Sequence, residues 1–149
     1  MASAPLKAQL TDLLNSMFAM DFLDEQFKEL QMLEEASGPG FLAEVVTLFC
    51  GDAERIISQL SVLLNEPVVD FGKVDANVHQ LKGSSSSVGA KRVALVCVKF
   101  RNVCQENDKE GCIAALHEIR HEFDELHKKF QTMVQLEQQI QVLDSKQMN

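Results

Sequence analysis

Val78-His79-Gln80-Leu81-Lys82-Gly83-Ser84-Ser85-Ser86-Ser87-Val88-Gly89 carries the pattern around which this chain is organised. With Phe71 and Val74 before them, Val78 and Leu81 recur at spacings of three and four, so they share one side of a 3.6-residue spiral and predict a helix. His79 is one residue, about 100°, from Val78 and falls off that apolar side. Asp75 and Ala76 stand a turn before it, Lys82 and Gly83 a turn after. An imidazole in the open beside a cation suits a nucleophile that another protein must reach.

Composition alone would make the serine run a flexible linker. Periodicity instead carries the helix to about Ser86, and Val88-Gly89 makes a tight reversal. From Lys91 to Asn107 a second helix is predicted, with Val93, Val96, Phe100 and Val103 on its buried side and Cys97 and Cys104 beside it. So short a reversal makes the two helices antiparallel neighbours, with residues equally far from the turn at equal height. His79 then faces the segment from Cys97 to Arg101. Arg101 and Gln105 lie off the apolar side and are long enough to reach toward the ring. The candidate site is His79, Lys82, Gly83, Ser84, Arg101 and Gln105.

These groups fit together if the imidazole carries a phosphoryl group. A neutral imidazole is a competent nucleophile near pH 7, and its phosphorylated form is a dianion that Lys82 and Arg101 would stabilise through charge-assisted hydrogen bonds. Gly83 would clear the approach for a partner's acidic pocket, at the helix-propensity cost of about 1 kcal/mol that glycine brings. Ser84 offers a hydroxyl. An exposed histidine on a helix is ordinarily just solvated, and a lysine beside it ordinarily a surface charge. The exposed mid-helix glycine favours the functional reading, because stability alone gives no reason for it.

Working outward, Leu6, Leu10, Leu13, Leu14 and Met17 predict a short helix from Pro5 to about Met17. Phe27, Leu30 and Leu33 predict a second from about Leu23 to Ala36, with Asp21 or Asp24 as its cap, ending at Ser37-Gly38-Pro39-Gly40. Phe41, Val45, Leu48, Phe49, Ile56, Leu60, Leu63 and Leu64 predict a long helix from Phe41 to Asn65, closed by Glu66-Pro67. Gly51 within it would allow a close contact or a slight bend. Asp70 can cap the helix of His79. After the turn Asn107–Gly111, an apolar stripe from Ile113 to Ile140 predicts one helix from Cys112 to about Leu143.

The expected fold is all-α: one domain over residues 1–149, with N-terminal helices at about 5–36 and an antiparallel up-down four-helix bundle at about 41–143. The first two helices would cover one end or side of the bundle. No segment alternates long enough for a strand, and no glycine-rich nucleotide loop, kinase signature or acidic Mg²⁺ cluster appears. The chain should not take phosphate from ATP by itself.

A formal charge of −8 disfavours nucleic acid and anionic membranes as partners. The four cysteines form no CxxC pair and read as reduced, buried thiols. No run approaches the roughly 20 apolar residues of a membrane span, and MASAPLKAQL has no apolar leader core, so a soluble, intracellular protein is expected.

A rival motif is His117-Glu118-Ile119-Arg120-His121, which matches the HExxH of zinc peptidases, with His127 where a third ligand would fall. The extended pattern needs glycine where the chain has Asp124. If the helix continues, His127 is rotated roughly 80° from His117 and cannot share a metal with both. His117 and His121 are expected to be solvated among Glu118, Glu122 and Glu125, and no metal is expected.

The segment His79–Ala90 closely resembles the signature of plant histidine-containing phosphotransfer (HPt) proteins. The similarity extends through Glu44–Phe49, Val69-Asp70-Phe71, Phe100-Arg101 with Cys104, Gly111-Cys112 and Leu136–Ile140, covering about Phe27 to Ile140. The resemblance implies a four-helix phosphotransfer bundle with extra N-terminal helices. It also implies that His79 takes phosphate from a receiver aspartate of a hybrid sensor histidine kinase and passes it to one of a response regulator, as in cytokinin signalling. Lys82, Gly83 and Ser84 would form the surface around it.

The chain departs from the family in having Gly40, not an acidic residue, before Phe41, and Gln105 after Cys104. The protein would be a phosphocarrier, not an enzyme. It would need no cofactor, Mg²⁺ being expected only on the receiver, and would be a monomer of cytoplasm and nucleus. A helical adaptor that binds receivers without transfer is the alternative.

Overall fold

Six helices follow one another in a computed structural model that describes residues 2–148, with side chains to residue 146. They are α1 Ala4–Ala19, α2 Glu25–Ser37, α3 Phe41–Leu64, α4 Phe71–Val88, α5 Lys91–Gln105 and α6 Lys109–Met148. Neighbours in sequence pack as neighbours in space: α3 on α4, α4 on α5, α5 on α6, and α6 back on α3, which closes the four-helix bundle. The first two helices cover its flanks, α1 along α6 and α2 against α3 and α4. The fold is the all-α bundle that the periodicity predicts.

The core is aliphatic with a ring cluster at its centre. Phe27, Phe123 and Phe130 are fully buried and Phe49 nearly so. Phe130 lies 6.1 Å from Phe27 and 6.4 Å from Phe49 between ring centres, so one aromatic joins α2, α3 and α6. On α3 the innermost positions are Leu42, Val46, Phe49, Cys50, Ala53, Ile56, Ile57, Leu60 and Leu64. Leu48, expected on that stripe, is 68% exposed. It is one step, about 100°, from Phe49, and the stripe is centred on the latter. Leu33 on α2 is likewise 51% exposed, since it is rotated about 120° from buried Phe27. Gly51 makes no close contact, because a Cβ there would meet nothing within 4 Å.

Helix ends explain the order. The Asp70 carboxylate accepts from the Lys73 amide at 3.1 Å, a cap that contributes about 1 kcal/mol to α4. Of the two aspartates available for α2, Asp24 is the cap, accepting from the Gln26 amide at 2.9 Å, while Asp21 takes a left-handed turn with φ of 60°. Gly40, also left-handed with φ of 94°, has no side chain to cap α3, and Glu34 reaches over from α2 to accept from the Leu42 amide at 3.0 Å. The cap missing from the local sequence is thus supplied by another helix.

Helix α4 runs two residues beyond the predicted end, to Val88, where Gly89 adopts φ of 75° and closes it. Gly89 is also pressed against the start of α2: its carbonyl accepts from the Asp24 amide at 3.0 Å, and a Cβ on it would come within 2.5 Å of the Phe27 nitrogen. Leu23 pairs with Ala90 beside it in a single antiparallel bridge. The amino-terminal helices therefore clasp the turn that sets the α4–α5 hairpin. Helix α6 begins at Lys109, three residues before its predicted start, because Asp108 accepts from the Gly111 amide at 2.9 Å and caps it.

All four cysteines are free and buried. Burial pushes the thiols of Cys50, Cys97 and Cys104 up to about 12, so they pack as small apolar groups. No helix among the described residues is long and apolar enough to cross a membrane.

Candidate functional site

Val74, Val78, Leu81, Ser85 and Val88 turn one side of α4 into the core, leaving Asp75, His79, Lys82 and Gly83 on the side next to α5 or facing solvent. His79 is exposed. On α5, Val93, Val96, Cys97, Phe100 and Cys104 are buried, which directs Arg101 sideways toward α4. The hairpin sets the two at one height: Arg101 Nη1 lies 2.9 Å from His79 Nδ1. A guanidinium has no acceptor, so it donates and Nδ1 accepts. The neutral ring then carries its proton on Nε2, the nitrogen left without a partner.

Arg101 is itself held. Its Nε donates to Asp75 Oδ1 at 3.0 Å and its Nη2 to Asp75 Oδ2 at 3.2 Å, a two-point fork to a carboxylate one turn before His79. The hydrogen bond to Asp75 is the main cause raising the guanidinium pKa above its ordinary value. The sequence places Asp75 beside His79, but its pairing with Arg101 is not readable there, since it depends on how the hairpin aligns two helices.

Lys82 is half-buried and enters no ion pair among the described residues. Its positive charge slightly opposes the rise that burial imposes on the Cys97 thiol. Gly83 lies in open space, where an added Cβ would meet nothing within 4 Å. Packing does not require glycine at this position. Ser84 directs its hydroxyl inward along the helix, donating to the Leu81 carbonyl at 3.1 Å, and so does not offer that proton to the ring. Gln105 is exposed a turn beyond Arg101, and the ring's hydrogen-bond partner is Arg101.

The HExxH residues lie along one unbroken helix. His117 and His121 are exposed, α6 continues through them without a break, and His127 stacks on Phe123 at 5.2 Å between ring centres. Among the described residues no three His, Cys, Asp or Glu side chains could hold a metal ion. Open clefts also lie elsewhere, such as the one between α3 and α6 around Gly51 and His127.

A single exposed imidazole thus stands on a helical hairpin, with Nδ1 bonded by a fixed arginine and Nε2 without a hydrogen-bond partner among the described residues. Residues 44–129 match the Hpt domain family. The chain is 58% identical over 148 residues to histidine-containing phosphotransfer protein 2 of Oryza sativa subsp. japonica, covering 99% of each. It superposes with a TM-score of 0.88 on the solved structure of a histidine-containing phosphotransfer protein from maize, at 62% identity over 91% of this chain and 99% of that one. A pseudo histidine-containing phosphotransfer protein 6 of Arabidopsis thaliana is 37% identical over 135 residues, 90% of this chain and 88% of its own. The chain belongs to the Hpt family of histidine-containing phosphotransfer proteins.

Proposed function

We propose that His79 is the phosphoryl acceptor of this protein and that Nε2 is the atom that receives the group. The protein works in histidine phosphotransfer, as its family membership and high-identity relatives show, and we infer that it serves a multistep His-to-Asp phosphorelay of the plant cytokinin type. The single observation that carries the residue assignment is the division of the ring: Arg101 occupies Nδ1 at 2.9 Å while Nε2 is bare on an exposed helix face.

The open space at Gly83 supports docking of a receiver domain over the ring. Lys82, with no carboxylate of its own, supports the incoming phosphoryl oxygens as a cation. Ser84 and Gln105 contribute surface rather than contacts to the ring. The donor is the receiver aspartate of a hybrid sensor histidine kinase and the recipient that of a response regulator. Mg²⁺ is carried by those receivers, and the present chain has no ATP-dependent activity of its own. We infer a monomeric carrier that moves between cytoplasm and nucleus and binds no nucleic acid.

A pure adaptor that binds receivers without transfer would use the same face, and the family contains members named as pseudo proteins. Labelling separates the two. Mixed with a phosphorylated receiver, the wild-type chain should acquire an acid-labile, base-stable phosphate, and His79→Gln should acquire none. Binding without label would establish the adaptor, and label retained in His79→Gln would move the acceptor elsewhere.

A further inference from the structure

We propose that Asp75 is a positioning residue: by fixing Arg101 against Nδ1 of His79 it keeps a proton off that nitrogen, and so sets how long a phosphoryl group survives on Nε2. This rests on His79 being the acceptor, and assigns Arg101 a different task from Lys82. Each nitrogen of the guanidinium makes one hydrogen bond, two to Asp75 and one to Nδ1, with a single N–H left over on each Nη. Asp75 and Arg101 are only 29% and 28% exposed, and their fork holds the guanidinium on Nδ1 as long as no partner displaces it. The unpaired cation for the phosphoryl oxygens is then Lys82.

The chemistry of the P–N bond gives the contact its effect. When that bond breaks, its electron pair goes to Nε2. With no proton on Nδ1 the ring would have to leave as imidazolate, a poor leaving group; with a proton there it leaves as neutral imidazole. In hydrolysis the phosphoryl group goes to water, which gives up a proton; in transfer it goes to a receiver carboxylate oxygen. Acceptance is the reverse. Nε2 of the tautomer protonated at Nδ1 attacks phosphorus, the P–O bond to the aspartate breaks with its pair on the carboxylate, and the Nδ1 proton is released to solvent.

An N–H of Arg101 on the Nδ1 lone pair, with its positive charge, opposes that proton. The guanidinium must therefore step aside when a receiver docks, and while none is docked it preserves the phosphoryl group.

The charged groups around the ring are few. Asp75 and Lys82 come from α4 and Arg101 from α5, while the thiols of Cys97 and Cys104 behind them stay neutral. On the other flank of α4, Ser58, Gln59 and Val62 of α3 lie beside Ala76 and Asn77 and carry no charge, and the one cation lining that cleft is Lys73 of α4.

The sign of one substitution is decisive. If Asp75 acted through its own negative charge, it would draw a proton to Nδ1, and Asp75→Asn would lengthen the life of the phosphoryl group. If it acts by holding Arg101, the same change shortens it. Protein loaded with phosphoramidate, then freed of donor, can be followed by ³¹P NMR from pH 5 to 9.

We expect Arg101→Ala to lose phosphate about tenfold faster than wild type near neutral pH, the effect of removing one fixed charge beside a titrating atom. Asp75→Asn should fall between the two, with its rate–pH curve displaced to higher pH, and Asp75→Glu should restore most of the lifetime. A lifetime in Asp75→Asn equal to or longer than wild type overturns the proposal. Independently of any variant, ¹⁵N spectra of the phosphorylated wild-type chain at pH 7 should show Nδ1 without a proton; a proton there overturns it too. Failure of wild type to take label on His79 would instead sink the acceptor assignment itself.

Discussion

Two exposed helix faces of this molecule carry histidines, and only one has the makings of a site. On α4, His79 is bonded at Nδ1 by an arginine that a carboxylate holds from behind, with an unpaired lysine and an open glycine one turn on. On α6, His117 and His121 are equally exposed, yet the acids beside them are engaged elsewhere: Glu118 with Lys99 at 3.2 Å and Glu122 with Arg92 at 2.7 Å. The residue type and its exposure are the same. What differs is whether a neighbouring helix reaches across to fix the ring and leave one nitrogen unengaged. A histidine becomes chemistry through the atoms that hold its other nitrogen.

The sharpest way to break this contrast is to exchange the consequences of losing each ring. His79→Gln should abolish phosphate uptake from a phosphorylated receiver, read as loss of all acid-labile label. A smaller but still large effect is expected at Gly83. Gly83→Gln should fold, since the added side chain meets open space, and yet slow transfer from a receiver by about tenfold or more by obstructing docking. Stopped-flow or radiolabel time courses measure it, and an unchanged rate would show that the α4 face needs no open approach.

Helix α6 does contain an unusual titrating group, and it bears on stability instead of transfer. Glu137 is 9% exposed, has a carboxylate oxygen without a partner, and is pushed up to about 7 by burial and then by Glu34. The folded chain holds this proton more tightly than the unfolded one, so stability is greatest below the ordinary carboxylate range and falls as pH rises toward 7. Glu137→Gln should remove most of that fall and raise stability at pH 8 by roughly 1–2 kcal/mol, seen in thermal or urea melts. It should leave phosphate uptake unaltered. The smallest effect belongs to the other two histidines: His117→Gln with His121→Gln should change neither label nor melting temperature measurably, and a loss of transfer in that double variant would erase the distinction between the faces.

Much of this was legible in the sequence because it is local. Spacing in Phe71–Leu81 and Val93–Val103 fixes which sides of α4 and α5 are buried, and the short turn at Gly89 fixes their relative height, which brings Arg101 to His79. Asp70 as a cap and Gly83 as an open position follow from residue type alone. What stayed hidden depends on distant partners. Asp75 reads as a mere neighbour of His79 until α5 supplies Arg101. Gly40 reads as a missing cap until Glu34 arrives from α2, and nothing near Leu23 announces its pairing with Ala90. Leu48 and Leu33 were misplaced because a list of apolar spacings does not weigh which of two adjacent positions lies at the centre of the stripe. Gln105 lies one turn beyond the arginine that bonds the ring, a placement that residue spacing already gives.

The unpaired Lys82 has a further consequence. In the empty state Asp75 and Arg101 cancel, so the patch around the ring carries one surplus positive charge; a bound phosphoryl group, a near-dianion, reverses its polarity. Cargo therefore advertises itself electrostatically at a distance. The vacant and the loaded carrier thus present patches of opposite sign on the same helix face.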